Sequence, residues 1–138
     1  MSGELKEGLS HTVERLVEEK YCTQRAGQYI FSTPNLVLLI EETAIQTIAP
    51  FLREGQVCVG SMINITHGAP TLRGQRVWAT TTVTTVDRRR VVFDVQARDE
   101  FDVISSGRHE RFIVDLDKFA VRLAEKAAKV GGTAGASS

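Results

Sequence analysis

The sequence predicts an α+β fold in which a curved antiparallel sheet wraps one buried helix. Three observations carry that expectation. A helical apolar pattern runs from Thr33 to Leu52. From Val57 onward the apolar period changes to two and holds through four successive strands. The links between those strands, such as "VDRRR" and "DEFD", are short, and short links join antiparallel neighbours.

The elements follow in order. "LSHTVERLV" alternates Leu9, His11, Val13, Arg15 and Val17 against Ser10, Thr12, Glu14 and Leu16, which predicts a first strand. "EEKYCTQRAGQYIF" has neither period and is expected to be an irregular cover. Thr33 suits a helix N-cap and Pro34 the first helical position, where proline's missing N–H is not needed. The helix is expected to reach Leu52 and stop near Gly55, with Leu38, Ile45, Ile48, Ala49 and Leu52 on its buried stripe and Val37 and Ala44 beside it. Glu42, Gln46 and Thr47 interrupt the apolar surface. Strands are then predicted at Val57–Ile65, in "RVWATTTVTTV", in "RRVVFDVQA" and in "VISSGRHERFIV". An amphipathic helix capped by Asp115, with Phe119, Leu123 and Ala127 on one side, closes a single domain over residues 1–130. The glycine-rich end, residues 131–138, is expected to be a disordered tail. One strand, a buried helix, four strands and a trailing helix is the order of a hot-dog fold. Such a sheet has an open edge that a second copy would cover, so a homodimer is expected.

Composition narrows the function classes. The 138 residues are 42% hydrophobic and 25% charged, enough for one real core. Seventeen basic and 17 acidic residues cancel, so no global field recruits nucleic acid or an anionic membrane. The opening "MSGELKEGLS" has no apolar signal core, and no apolar run approaches the roughly 18 residues of a membrane span; a cytoplasmic protein is expected. Cys22 and Cys58 stand far apart with no metal-ligand spacing, which reads as two reduced thiols. Neither a Walker pattern, nor GxGxxG, nor HExxH, nor GxSxG occurs.

A few residues could carry chemistry. Glu41 has Val37 and Leu38 one turn before it and Ala44 and Ile45 one turn after. Burial disfavours an ionised carboxylate unless a partner stabilises it. The plainer reading is a helix-edge glutamate that reaches water or an arginine. His67 has the parity of Val59, Ser61, Ile63 and Ile65, which points it towards the helix; the plainer reading is a histidine filling space near a turn. Neither His11 nor His109 stands at a metal-pairing distance in sequence from it, so no metal is expected. Thr33 and the free N–H groups of the first helical turn form a natural place for a developing oxyanion. Gly60, inside a strand pattern, marks a bulge or a close approach. Arg111 shares its parity with His109 and Ile113 and, if inward, needs an anionic partner. Arg88, Arg89 and Arg90 read as a solvated turn or, with Arg73 and Arg76, as a perch for phosphates.

"FSTPNLVLLIEETAIQTIAPFL", "VGSMINITHGAPTLRG" and "SSGRHERFIVDLDKF" together resemble the hot-dog thioesterases similar to fluoroacetyl-CoA thioesterase. The resemblance runs without gaps from about Phe31 to Phe119. By motif position it implies a catalytic set of Thr33, Glu41 and His67, with Gly60 and Arg111 around the substrate. It implies an acyl-CoA substrate and no cofactor. Two departures stand out. "KYCTQRAGQYIF" is shorter than and unlike the phenylalanine-bearing lid associated with fluoroacetyl selectivity, and Pro34 replaces a glycine, which removes one N–H at the helix start.

The expected activity is therefore hydrolysis of a short or medium acyl-CoA thioester. Thr33 and nearby amides would polarise the carbonyl, Glu41 would serve as base or nucleophile, and His67 would shuttle a proton to the thiolate. A hydratase on the same fold lacks its Asp-x-Asn-Pro-x-x-His signature here. The alternative from another class is a non-catalytic binder of acyl-CoA or another small ligand. Thr33 and Glu41 are eight residues apart, about 12 Å along a helix, so one helix cannot bring both to a single carbonyl. Two helices related by a two-fold axis could.

Overall fold

In the computed structural model the backbone is described for residues 4–137 and side chains for residues 4–132. The first strand, β1, spans Ser10–Leu16. The segment expected to be irregular instead contains a single 3-10 turn, Glu19–Tyr21, and a hairpin of β2, Cys22–Arg25, and β3, Gln28–Phe31. Its two-residue turn places both Ala26 (φ 51°) and Gly27 (φ 76°) in the left-handed region. Asparagine usually precedes glycine in such a turn, and alanine there concealed it.

The central helix α1 is Thr33–Ile48, followed by a 3-10 turn, Ala49–Phe51. Ser32, not Thr33, is its N-cap: Asn35 N–H donates to Ser32 Oγ at 3.3 Å. Thr33 is thereby the first helical residue, and its hydroxyl is released from capping. The buried face also differs from the expected stripe. It comprises Leu36, Leu39, Ile40, Thr43, Ala44, Thr47 and Ile48, whereas Leu38 and Ile45 are 46% and 39% exposed. Thr43 and Thr47 can be buried because each hydroxyl donates one turn back, to Leu39 O at 2.7 Å and Thr43 O at 3.1 Å. The pattern alone could not distinguish these satisfied threonines from a polar face.

Four strands follow: β4 Gln56–Ile65, β5 Arg76–Asp87, β6 Arg90–Arg98 and β7 Val103–Asp115. With β1 they form one antiparallel sheet in the order β1-β5-β6-β7-β4. The sheet and α1 make up the expected hot-dog architecture. One half of the core gathers Leu36, Leu39 and Ile40 with Val17, Phe31, Val77, Ala79, Val95, Ala97 and Ile104. The other sets Ala44 and Ile48 against Val83, Val91 and Phe93. β4 lies at the edge of the sheet, paired with β7 alone.

Helix α2 is Leu116–Ser137. Asp115, expected to cap it, is the last residue of β7 and accepts from Arg89 Nη1 at 3.1 Å. Val121 and Leu123 on α2 are exposed. The tail expected at 131–138 falls on the last turns of this helix and on residue 138, which lies outside the described residues. Arg73 and Arg76 stand at the far end of β5 from Arg88, Arg89 and Arg90, paired with Glu19 and Glu14, so the five arginines form no single cluster. No described helix is long and apolar enough to cross a membrane.

Candidate active site

The site residues lie in two groups. The first is Thr33 with His67. The pairing of β4 with β7 continues past Ile65, because Thr66 N–H donates to Ser106 O at 2.9 Å and Gly68 N–H to Ile104 O at 2.8 Å. These bonds fix the backbone on both sides of His67. Its ring then meets the start of α1, with Nδ1 at 2.7 Å from Thr33 Oγ1. Burial lowers the imidazole pKa from its ordinary 6.5, so the ring is neutral at pH 7. A cavity of about 300 Å³ opens on this pair, walled by Phe31, Ala69, Pro70 and the hairpin residues Thr23, Arg25 and Ile30.

The second group is Glu41 with Gly60 and Arg111. A register shift between Gly60 and Met62 makes the bulge expected of a glycine in this strand. The glycine also leaves room for the carboxylate: a Cβ at position 60 would lie 2.6 Å from Glu41 Oε2 and displace it. Arg111, 4% exposed, turns inward from β7, and its Nη1 donates to Glu41 Oε2 at 3.3 Å. That guanidinium is the partner a carboxylate on a largely apolar helix needs. Glu42 points elsewhere and pairs with Arg15 at 2.6 Å. The Glu41 cavity, about 290 Å³, is lined by Val37, Gly60, Ser61, Met62, Ile63 and His109 and shares no residue with the first.

Two residues near Glu41 escaped the sequence reading. Cys58 receives Arg111 Nε at Sγ (3.3 Å) and Arg111 Nη2 at its carbonyl (3.4 Å). His109, weighed only as a metal ligand, sits beside Arg111 Nη1 at 3.3 Å. Strand parity was the available signal for His109, since residues 109 and 111 face the same way. Cys58 carried none. Among the described residues no group of three or more His, Cys, Asp or Glu could hold a metal ion.

Within the described residues Glu41 makes no hydrogen bond with Thr33 or His67. One chain therefore offers a hydroxyl–imidazole pair in one cavity and a carboxylate–guanidinium pair in another. Residues 12–117, more than half of the chain, match the family described as fluoroacetyl-CoA-specific thioesterase. The chain belongs to this family. It is a thioesterase of hot-dog fold. It is 36% identical over 97 residues, 70% of each chain, to the fluoroacetyl-CoA thioesterase of Streptantibioticus cattleyicolor. A solved fluoroacetyl-CoA thioesterase superposes with a TM-score of 0.84 at 28% identity, over 90% of this chain and 98% of that one. A thioesterase superfamily member from Thermus thermophilus superposes with a TM-score of 0.85 at 25% identity, over 92% and 96% of the two chains. Thioester hydrolysis, the activity of the family, calls for a base near the water and a donor near the carbonyl.

Proposed function

We propose that the chain hydrolyses a short or medium acyl-CoA thioester in sites shared between two copies, each site combining Thr33 and His67 of one with Glu41, Gly60 and Arg111 of the other. The observation that supports this is the division of these residues between two cavities with no lining residue in common. Neither half is sufficient for the reaction. An edge strand presents unpaired N–H and C=O groups along its free side. Pairing β4 with its own copy would continue the sheet and set the exposed Leu38 and Ile45 of α1 against their equivalents. With a two-fold axis midway between Gly60 and His67 along the strand path, Gly60 of one copy would stand near His67 of the other.

In the assembled site Glu41 takes a proton from water as its oxygen adds to the thioester carbon. The oxyanion that develops falls to Thr33. Amides further along the helix are not free for it: Pro34 has none, Asn35 N–H goes to Ser32 Oγ, and Leu36 N–H goes to Ser32 O at 2.9 Å. With His67 donating from Nδ1 to Thr33 Oγ1, the threonine hydroxyl is left to donate to the carbonyl. The proton taken by Glu41 is returned to the departing thiolate, while His67 holds the Thr33 hydroxyl in its donating orientation. Ile30 and Phe31 offer apolar surface to the acyl group in the Thr33 cavity. Coenzyme A is the expected carrier, and the cytoplasm the expected compartment.

Thiol release from a panel of acyl-CoA esters tests the reading. Turnover is expected for at least one short or medium chain, with Glu41→Gln about 10²- to 10⁴-fold slower, the range for loss of a general base. Glu42→Gln is expected to stay within about twofold, since Glu42 does not line the Glu41 cavity and pairs with Arg15 instead. Binding without turnover across the panel would support the non-catalytic reading instead.

A further inference from the structure

His109 is 1% exposed, yet it is a polar ring with both nitrogens engaged. Its Nδ1 lies 2.8 Å from Met62 O. A carbonyl only accepts, so Nδ1 carries the proton. Its Nε2 lies 3.3 Å from Arg111 Nη1, and a guanidinium only donates, so Nε2 carries a lone pair. Both contacts thus specify the same neutral tautomer. The ring is steadied from behind by stacking on Phe93, with centroids 6.1 Å apart and planes at 25°.

The same Nη1 donates to Glu41 Oε2, also at 3.3 Å. One guanidinium nitrogen is therefore held between an imidazole that cannot move and a carboxylate that the reaction uses. The other guanidinium nitrogens reach Cys58 on β4, Nε donating to Sγ at 3.3 Å and Nη2 to the carbonyl at 3.4 Å. Without the acceptor on His109, Nη1 would keep only its contact to Glu41, and the guanidinium would lose the bond that fixes its direction. Protonation of His109 would have the same effect, because an N–H would then face an N–H. Burial and the neighbouring Arg111 both disfavour that proton, whereas the Met62 carbonyl, Glu41 and Glu110 favour it; the net effect is a lowered pKa.

We propose that His109 is a positioning residue for the hydrolysis: a fixed, neutral hydrogen-bond acceptor that aims Arg111 at Glu41. The inference rests on the reading of Glu41 as the base. It adds a residue that acts through another, by setting the direction of the guanidinium that holds Glu41. Only a side chain that donates to β4 at one end and accepts from Arg111 at the other fits the position, and the Nδ1–H tautomer of histidine does both.

The test has two arms. In the first, His109→Leu keeps apolar bulk against Phe93 but offers no acceptor, while His109→Gln keeps an oxygen near the place of Nε2. The leucine variant is expected to lose about tenfold to a hundredfold in kcat with KM changed little, as for a misaimed catalytic group, and the glutamine variant to recover most of it. Equal kcat for wild type and His109→Leu would overturn the proposal, as would equal losses in both variants. The second arm needs no turnover and no variant. Nitrogen-15 NMR of the wild-type protein is expected to show His109 neutral with its proton on Nδ1 at pH 7, together with a slowly exchanging Arg111 side-chain signal. A proton on Nε2, or a charged ring, would overturn the proposal even in an active enzyme. Loss of all acyl-CoA turnover in wild type with the Nδ1–H tautomer intact would instead strike the reading of Glu41.

Discussion

At the scale of single residues, two histidines, His67 half-buried and His109 buried, tie the site to the stability of the chain. His67 and His109 both have pKa values lowered from 6.5, in each case with burial as the largest cause. In the unfolded chain they begin to take up protons near pH 6.5, while in the folded chain they resist. The unfolded state then binds more protons, so stability falls as pH drops from 6.5 towards the folded-state values. Carboxylates held down in the native state, such as Glu110 beside Arg90, act lower, as pH falls through their own range below 4.5. Thermal melts between pH 7.5 and about 5 should therefore show a falling Tm, and His67→Gln with His109→Gln should flatten the slope. A wild-type Tm that holds level across this window would show that burial does not govern these rings. Of the candidate residues, Glu41 and His67 stood out in sequence because each breaks an apolar pattern. Gly60 was legible because glycine weakens a strand. His109 was not, since its importance lies in which atom it accepts from, and parity does not reveal partners.

At the scale of elements, the union of β4 with β7 positions both halves of the site. At Gly107 these strands leave no room for a side chain: a Cβ there would run into Asn64 O and the backbone of Ile65, and its φ of 152° is one that side chains rarely adopt. Gly107→Ala is expected to destabilise the fold by about 1–3 kcal/mol, the usual range for overpacking. Activity at 25 °C should fall as well, because the displaced segment of β4 leads directly to His67. Urea unfolding checks the first part, and a midpoint unchanged from wild type would show that the strands yield without cost. The alternation of each strand and the shortness of each link made the sheet readable in sequence. The hairpin was not readable, because its strands are four residues each and Ala26 hides the turn. The helix was readable as an element but not in its rotation, since buried threonines that satisfy themselves look polar on paper.

At the scale of the whole molecule, two chains are expected to accomplish what one cannot. If Thr33→Ala and Glu41→Ala proteins are mixed, unfolded and refolded together, random pairing makes half of the dimers mixed. In each mixed dimer one site receives both lesions and the other receives neither. Turnover of roughly a quarter of wild type should return, as two-fold symmetry requires. No recovery in a mixture shown to contain mixed dimers would place Thr33 and Glu41 in the same site of one chain. The sequence could show that eight helical residues keep them apart and that the sheet has an open edge, but that β4 lies at an edge appears only once the strand order is known.

The β2–β3 hairpin has one further consequence. It walls the Thr33 cavity, yet it stands outside the five-stranded sheet, joined to the body by an isolated bridge between Ile30 and Leu72 and by bonds such as Phe31 N–H to Thr71 O. Its exposed tip can be lengthened, shortened or exchanged without altering the register of any strand that carries Gly60, Arg111 or His109. If the Thr33 cavity takes the acyl group, exchanging the hairpin is expected to change which acyl group is accepted while the strands that carry Gly60, Arg111 and His109 stay as they are.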